Sequence, residues 1–177
     1  MIEDIFLKPY NFTGIHSIKV NELKKMYNEE DGLRLFNRIV DIYLLAPIVG
    51  FIYRRKSFKD TGEERTSIFS DVLIKEAEKI KYNYRLIMLL DDKYEPDFNK
   101  RLDKAFKYIG SEEAKEDFEL YNSYVRGGVD ILYKNLIENA KSPDDCINKI
   151  YEFFVEYQEI YNKDVTREEF KNLFGDN

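Results

Sequence analysis

The sequence predicts an all-α protein, a single domain over residues 1–177 with six to seven helices and an irregular N-terminal lead-in. Hydrophobic residues make up 44% of the chain and recur every three to four positions, which is the period of an amphipathic helix. Glycine and proline are scarce, with eight and four residues, whereas a turn-rich β fold needs many. We find no strand-like alternation, internal repeat or linker.

The first half of the chain predicts three helices behind the lead-in. Residues 1–17 are short apolar pieces broken by proline, asparagine and glycine, so we expect irregular structure that packs on the body. A weak amphipathic helix follows over residues 18–30, and a second helix begins near Leu33. Residues 57–67 are polar and predict a loop, after which a third helix runs over about residues 70–90.

The second half predicts up to four more helices from their capping residues. A short helix has Pro96 in its first turn and stops at Gly110. Ser111 is an N-cap with acids behind it, and a long helix follows. Ser142 then starts another helix, with a proline and two acids next in sequence. A capping box at Thr166 predicts a short terminal helix.

The most informative segment is the uncharged, mostly apolar run of residues 42–53, followed directly by Arg54, Arg55 and Lys56. The run is too short to cross a bilayer, which needs about twenty residues, so it predicts a helix buried on most sides. The cations lie at the predicted end of that helix, where they stabilise the negative end of its dipole. Pro47 removes one backbone hydrogen bond and predicts a kink or a break.

The overall charge and the cysteine content bound the class of protein. A net charge of −6 argues against broad electrostatic capture of nucleic acid but permits a local basic patch. A single cysteine forms no intrachain disulfide, which is typical of the reducing cytosol. The N-terminus lacks the features of a signal peptide, so we expect a cytoplasmic protein that has no membrane partner.

Residues that carry catalytic or metal chemistry are few and scattered. Zinc needs three or four ligands, whereas His16 and Cys146 are the only residues of their types. His16 has no recognisable nucleophile beside it, and Cys146 begins an apolar stripe that favours a buried structural thiol. Acids at helix termini are favoured by the dipole, which is the preferred interpretation of both acidic pairs, although carboxylates also bind magnesium. These pairs are Asp91 with Asp92 and Asp144 with Asp145. We therefore predict no catalytic residue, no metal site and no cofactor.

A basic stretch is the best candidate for contact with nucleic acid or a protein partner. Aromatic residues lie between its charges, and such a mixture can hold a nucleic acid strand. The commoner explanation is a helix C-terminus with solvated charges. The candidate residues are Arg54, Arg55, Lys56, Lys59 and Arg65.

A second candidate contact is the sequence Arg126-Gly127-Gly128, inside the long helix. Two adjacent glycines in a helix cost roughly 2 kcal/mol relative to alanine, so something should compensate. One interpretation is a small-residue notch that a ligand, a DNA backbone or a partner helix approaches closely. The interpretation we favour is a notch filled by a neighbouring helix of the same chain, such as the helix with Pro47.

Two segments resemble small bacterial proteins encoded beside DNA phosphorothioation (Dnd) systems. Residues 40–51, Val-Asp-Ile-Tyr-Leu-Leu-Ala-Pro-Ile-Val-Gly-Phe, look like the opening block of the Dnd system-associated protein 4 group. A second block is similar through Tyr124, Gly127, Gly128 and Leu132. The resemblance spans residues 35–138, and neither block contains a catalytic motif.

The resemblance implies a role in a bacterial phage-defence or restriction locus that recognises modified DNA. We therefore expect a non-enzymatic accessory protein that acts through a protein partner of such a complex and through DNA backbone contacts. Two alternatives stay open. One is an enzyme that uses carboxylates and magnesium, and the other is a purely structural helical adaptor or homo-oligomer.

Overall fold

A computed structural model describes residues 8–28 and 33–164, which are mostly helical. This confirms the predicted class in so far as the protein is mainly α-helical. The chain divides into two compact units, Met1–Lys134 and Asn135–Asn177, and their boundary falls in the last turn of a long helix. Within the described ranges, no helix combines the length and the apolarity needed to cross a membrane.

Seven α-helices account for most of the described chain. They are α1 Ile15–Lys24, α2 Ile39–Ile52, α3 Ser70–Lys75, α4 Ala77–Leu90, α5 Phe98–Leu102, α6 Lys115–Leu136 and α7 Pro143–Asp164. A π-helical turn, Asp103–Lys107, extends α5, and a 3-10 turn, Glu112–Ala114, leads into α6. The helix predicted over residues 70–90 is two helices that meet at Glu76, and the one predicted from Thr166 lies outside the described residues.

Among the described residues the structure has four short strands, which corrects the prediction of a chain without strands. They are β1 Tyr10–Thr13, β2 Met26–Asn28, β3 Leu33–Arg34 and β4 Arg65–Ile68. β1 pairs antiparallel with β4, with Tyr10 opposite Ile68 and Thr13 opposite Arg65, and β2 pairs antiparallel with β3. The predicted lead-in and the predicted loop therefore form one two-stranded ribbon. Each strand of this ribbon has only four residues, which is too short for alternating apolar and polar side chains to reveal it in the sequence. A two-stranded ribbon is stable only when it packs against the rest of the protein, and the sequence does not show that packing.

The β1–β4 ribbon turns one face to the core and one to solvent. Phe12 is 1% exposed, and its ring lies 6.4 Å from that of Tyr43 on α2. The Tyr43 ring in turn lies 6.2 Å from that of Tyr121 on α6, in an edge-to-face arrangement. Such pairs add to the stabilisation from burial alone. The ribbon, α2 and α6 thus share one aromatic core within Met1–Lys134.

Helix α2 is buried on most sides, as its apolar sequence predicts, although Leu45 remains 41% exposed. Of the kink or break predicted at Pro47, the break does not occur, because α2 continues through Pro47 as a single helix. Pro47 itself is buried, and its missing N–H leaves the Tyr43 carbonyl without its usual helical partner.

The unit Asn135–Asn177 contains α7, whose start follows the predicted capping. The backbone N–H of Asp145 donates to the Ser142 hydroxyl over 3.2 Å, and the Lys141 N–H donates to the Asp145 carboxylate over 2.9 Å. These bonds satisfy groups that a helix start leaves free, so Asp145 has the capping role that the sequence favours for this acidic pair. Cys146 is buried, which raises the pKa of its thiol. A buried, protonated thiol is an inert one.

Candidate nucleic-acid interface

The candidate interface begins where α2 ends and the chain turns back on itself. The Arg55 N–H donates to the Gly50 carbonyl over 2.8 Å, and the Arg54 N–H donates to the Phe51 carbonyl over 3.0 Å. Arg54 has φ 51°, in the left-handed region. These are the two bonds of a Schellman motif, with arginine at the position that glycine most often occupies. Residues 54–59, which we call the basic segment, then leave the helix as ordered non-helical chain.

The basic segment is fixed to α6 through Ser57. The Ser57 N–H donates to the Ser123 carbonyl over 3.0 Å, and the Ser57 carbonyl accepts from Arg126 Nε over 2.8 Å. The Ser57 hydroxyl donates to Asp130 over 2.5 Å. All three polar groups of this residue are therefore bound to α6, and the cations on either side of it start from a fixed backbone.

The glycine pair of α6 lies under α2 and the basic segment. A Cβ on Gly128 would lie 1.7 Å from the Ala46 carbonyl oxygen, and one on Gly127 would lie 1.9 Å from that of Arg55. A Cβ on Gly50 of α2 would lie 2.2 Å from a backbone oxygen of α6. Only glycine permits backbones to approach this closely. The structure therefore fills the notch with the same chain, which is the interpretation that the sequence favours.

The predicted cations of the basic stretch are exposed and unpaired. None lies within ion-pair distance of a carboxylate in the part of the chain that the structure describes. Elsewhere Lys19 contacts Asp130 and Lys104 contacts Asp117, each over 2.6 Å. The unpaired set is Arg54, Arg55, Lys56, Lys59 and Arg65.

Aromatic rings accompany these cations in two ways. Phe58, between Lys56 and Lys59 in sequence, is 95% exposed and places its ring in solvent. Lys56 Nζ lies 5.1 Å from the centre of the Tyr124 ring, a cation–π contact. An exposed ring flanked by cations is the arrangement on which an unpaired base can stack while phosphates are neutralised.

The sequence predicts Arg126, Gly127 and Gly128 as contact residues, but all three lie in the interior. The Arg126 side chain is 6% exposed, and Nη2 donates to Glu119 Oε1 over 2.5 Å. The Tyr10 hydroxyl accepts a further hydrogen bond from it. In this conformation these three residues support the basic segment from below and are not part of its exposed surface.

Two adjoining cavities lie beside the solvent face of the β1–β4 ribbon. The first, of about 210 Å³, is bounded by β1, by Lys59 and by α6 residues that include Asn122 and Arg126. The second, of about 280 Å³, runs from β1 to Arg65. Both are lined by Lys59, together with Asn11 and Thr13 of β1. The predicted contact residues Lys59, Arg65 and Arg126 thus line one continuous cleft, although Arg126 is far from the other two in sequence.

A largely buried polar cluster that the sequence does not predict surrounds Asp130. Its carboxylate accepts from Lys19 over 2.6 Å and from Ser57 over 2.5 Å, and His16 Nε2 lies 3.5 Å away. Burial alone would raise the pKa of Asp130, but the neighbouring His16, Lys19 and Ser57 together outweigh it and hold this pKa well below its ordinary value. A lone carboxylate in a helix gives no sequence signal of such a cluster.

The acidic pair at the end of α4 has structural partners. Asp91 is buried and accepts hydrogen bonds from the Tyr124 hydroxyl over 2.7 Å and from the Tyr94 N–H over 3.2 Å. Its neighbour Asp92 is exposed. Within the described ranges, no three histidine, cysteine or carboxylate side chains converge as a metal site requires.

The comparisons with known proteins give no relative. No known family matches the chain, and no curated protein and no solved structure shows significant similarity to it. The resemblance to the Dnd system-associated group accordingly stays a prediction.

Proposed function

We propose that this protein is a non-enzymatic accessory component of a bacterial DNA modification or restriction system, and that it contacts the DNA backbone through the basic segment and Arg65. The assignment to a defence locus comes from the two blocks that resemble the Dnd system-associated group. The DNA contact comes from the geometry of the basic segment. A protein partner within the same complex completes the proposal.

The observation that carries the DNA contact is a row of unpaired cations on a backbone that is already fixed. Each phosphate neutralised by such a cation releases a condensed counterion, which favours binding and makes it depend on salt. Because the Schellman motif and Ser57 fix the chain in advance, little backbone entropy is lost on binding. The exposed Phe58 ring offers a stacking surface to an unpaired base.

The distribution of charge limits where DNA can bind. Residues 51–75 contain six cations and four acids, whereas residues 91–119 contain ten acids and six cations. The acidic region repels phosphate and suits a basic protein surface instead. We therefore assign the protein contact of this accessory role to the region that contains α5 and the start of α6.

Salt-dependent binding of a labelled DNA tests the proposal. Fluorescence anisotropy is measured from low to moderate salt for the wild type and for the double variant Arg54→Glu/Arg55→Glu. The plot of log K against log salt has a negative slope, and we expect it to become shallower by about 0.9 for each phosphate that the variant no longer neutralises. We also expect the variant to bind more weakly at every salt concentration. The matched control is Lys93→Glu/Lys100→Glu, which reverses two exposed cations of the acidic region and should change binding far less.

Two outcomes would contradict the proposal. Equal and negligible binding by the wild type and the Arg54→Glu/Arg55→Glu variant would remove the DNA contact. A gene neighbourhood without DNA-modifying or restriction proteins would remove the assignment to a defence locus.

A further inference from the structure

The smaller cavity beside β1 is rich in groups that can donate hydrogen bonds. Asn122 is buried and uses its carbonyl oxygen to accept from the Tyr43 hydroxyl over 3.3 Å, while its amide Nδ2 has no partner among the described residues. Lys59 lines the same cavity without a carboxylate partner in the described part of the chain, and Arg126 is another of its lining residues. Two cations and an amide donor therefore converge on one small space, which is the chemistry of an oxyanion site.

The ion pair at this cavity joins Glu119 to Arg126, and the two side chains differ greatly in their exposure to solvent. The Arg126 side chain is 6% exposed, whereas the side chain of its partner Glu119 is 63% exposed. The guanidinium is fixed by its bond to Ser57, but the carboxylate reaches it from solvent. Because the Glu119 side chain is exposed, it can move into solvent, and an anion that binds the arginine in a bidentate manner can take its place.

We propose that this cavity binds a terminal phosphate monoester of a nucleic acid strand, with Arg126, Lys59 and Asn122 as donors, and that Glu119 occupies the phosphate position until the strand end displaces it. The inference deepens the proposed function and rests on it for the nucleic-acid partner. Lys59 joins the two, because it belongs both to the basic segment and to the cavity wall.

The shape of the cleft favours a strand end over an internal phosphate. An internal phosphodiester carries a nucleotide on each side, and a cavity of about 210 Å³ bounded by β1 and α6 leaves no room for both. A terminal monoester enters alone, and the adjoining cavity along β1 toward Arg65 accommodates the sugar behind it. A monoester also carries more negative charge than a diester, which suits two cations.

The Tyr10 hydroxyl adds a neutral donor at the same place. Burial is the main cause that raises the pKa of Tyr10 to about 12, and the nearby Arg126 opposes it only in part. Tyr10 therefore keeps its proton at neutral pH and does not repel an anion.

Binding of matched oligonucleotides tests this inference with the full chain. Three single-stranded probes of one sequence carry a 5′-phosphate, a 3′-phosphate or hydroxyl groups at both ends, and inorganic phosphate serves as competitor. We expect one phosphorylated end to bind about tenfold more tightly than the hydroxyl probe, as charge-assisted hydrogen bonds imply. A preference for the 5′ or for the 3′ probe assigns the polarity of the strand, and inorganic phosphate should reduce the preference.

Variants at exposed positions separate this site from the basic segment. Lys59→Ala should reduce the preference for the phosphorylated end, and Glu119→Gln should increase it because the competing carboxylate is gone. Glu116→Gln, an exposed acid one turn earlier on α6, is the matched control and should leave the preference unchanged. Equal binding of all three probes by the wild type would overturn the inference, as would a preference that Glu119→Gln leaves unaltered. The DNA contact itself would survive either result if Arg54→Glu/Arg55→Glu still weakens binding of the hydroxyl probe.

Discussion

Asp130 joins three parts of the chain that are distant in sequence. Its carboxylate contacts α1 through Lys19 and the basic segment through Ser57, while its backbone belongs to α6. Removing one partner of a largely buried charge leaves the other uncompensated, which is destabilising. This residue thus positions the basic segment from inside, although it lies outside the proposed DNA surface.

The Asp130→Asn variant should be less stable at neutral pH by about 2 kcal/mol, because the charged acceptor of two hydrogen bonds is removed. The folded-state pKa of Asp130 is depressed, so its contribution is fully present above the unfolded-state value of about 3.9 and is lost as the pH falls below it. Urea unfolding of both proteins at pH 7 and at successively lower pH measures the difference. It should shrink below about pH 4, and a constant difference would contradict the assignment.

Asp92→Asn is the control for this experiment, because Asp92 is exposed in the turn after α4. Its effect on the free energy of unfolding should stay within about 0.5 kcal/mol, as is usual for surface substitutions.

At this scale the sequence predicts charge well and burial poorly. The exposed cations of the basic stretch were identifiable, since consecutive cations after an apolar helix have nowhere to be buried. The burial of Arg126 was not identifiable, because an arginine in an amphipathic helix is ordinarily solvated. Its partners Ser57 and Tyr10 come from chain segments whose positions depend on the tertiary fold.

The crossing of α2 and α6 is the central contact between elements. Gly128 of α6 meets Ala46 of α2, and Gly50 of α2 meets the backbone of Gly128, so both helices present small residues at the crossing. Close backbone approach brings many atoms into contact, which offsets the low helix propensity of glycine. The sequence shows the glycine pair and the need for compensation, and it names the helix with Pro47 as the candidate partner. The contact of Gly128 with Ala46 confirms that interpretation.

The Gly128→Ala variant tests that crossing through the sign of its effect. Helix propensity alone would stabilise the variant by about 1 kcal/mol. The 1.7 Å approach to the Ala46 oxygen predicts the opposite, a loss of about 2 kcal/mol or more, since backbone must move to admit the methyl group. Chemical denaturation measures the change. An unfolding midpoint at or above that of the wild type would show that the helices do not cross this closely.

Glu116→Ala provides the comparison for Gly128→Ala on the same helix. Its side chain is exposed, so the change alters propensity and charge without packing. Its free energy of unfolding should therefore differ from the wild type by no more than about 0.5 kcal/mol.

Whole-molecule organisation follows from the boundary between Lys134 and Asn135. The basic segment, the cleft, the Asp130 cluster and the crossing of α2 with α6 all belong to Met1–Lys134. Apolar periodicity predicts helices on both sides of the boundary but carries no information on which helices share a core. For that reason the sequence suggests a single domain and shows no sign of the boundary.

A chain that ends at Lys141 should therefore fold and bind DNA. It retains all of α6 and every residue of the proposed interface, and it stops in the exposed turn before α7. Circular dichroism should show a helical protein with one cooperative thermal transition, and anisotropy should give the affinity of the full chain. A shortened chain without cooperative unfolding would show that the two units depend on each other for stability.

The left-handed backbone at Arg54 sets a limit on improving this protein by engineering. A residue with a Cβ in that conformation is less favourable than glycine by about 1 kcal/mol, so stability screens should select glycine there. The same exchange would delete a cation at the very start of the basic segment. Thermal stability and affinity for a polyanion are therefore opposed at this position, so a variant stabilised by glycine there should bind a polyanion more weakly.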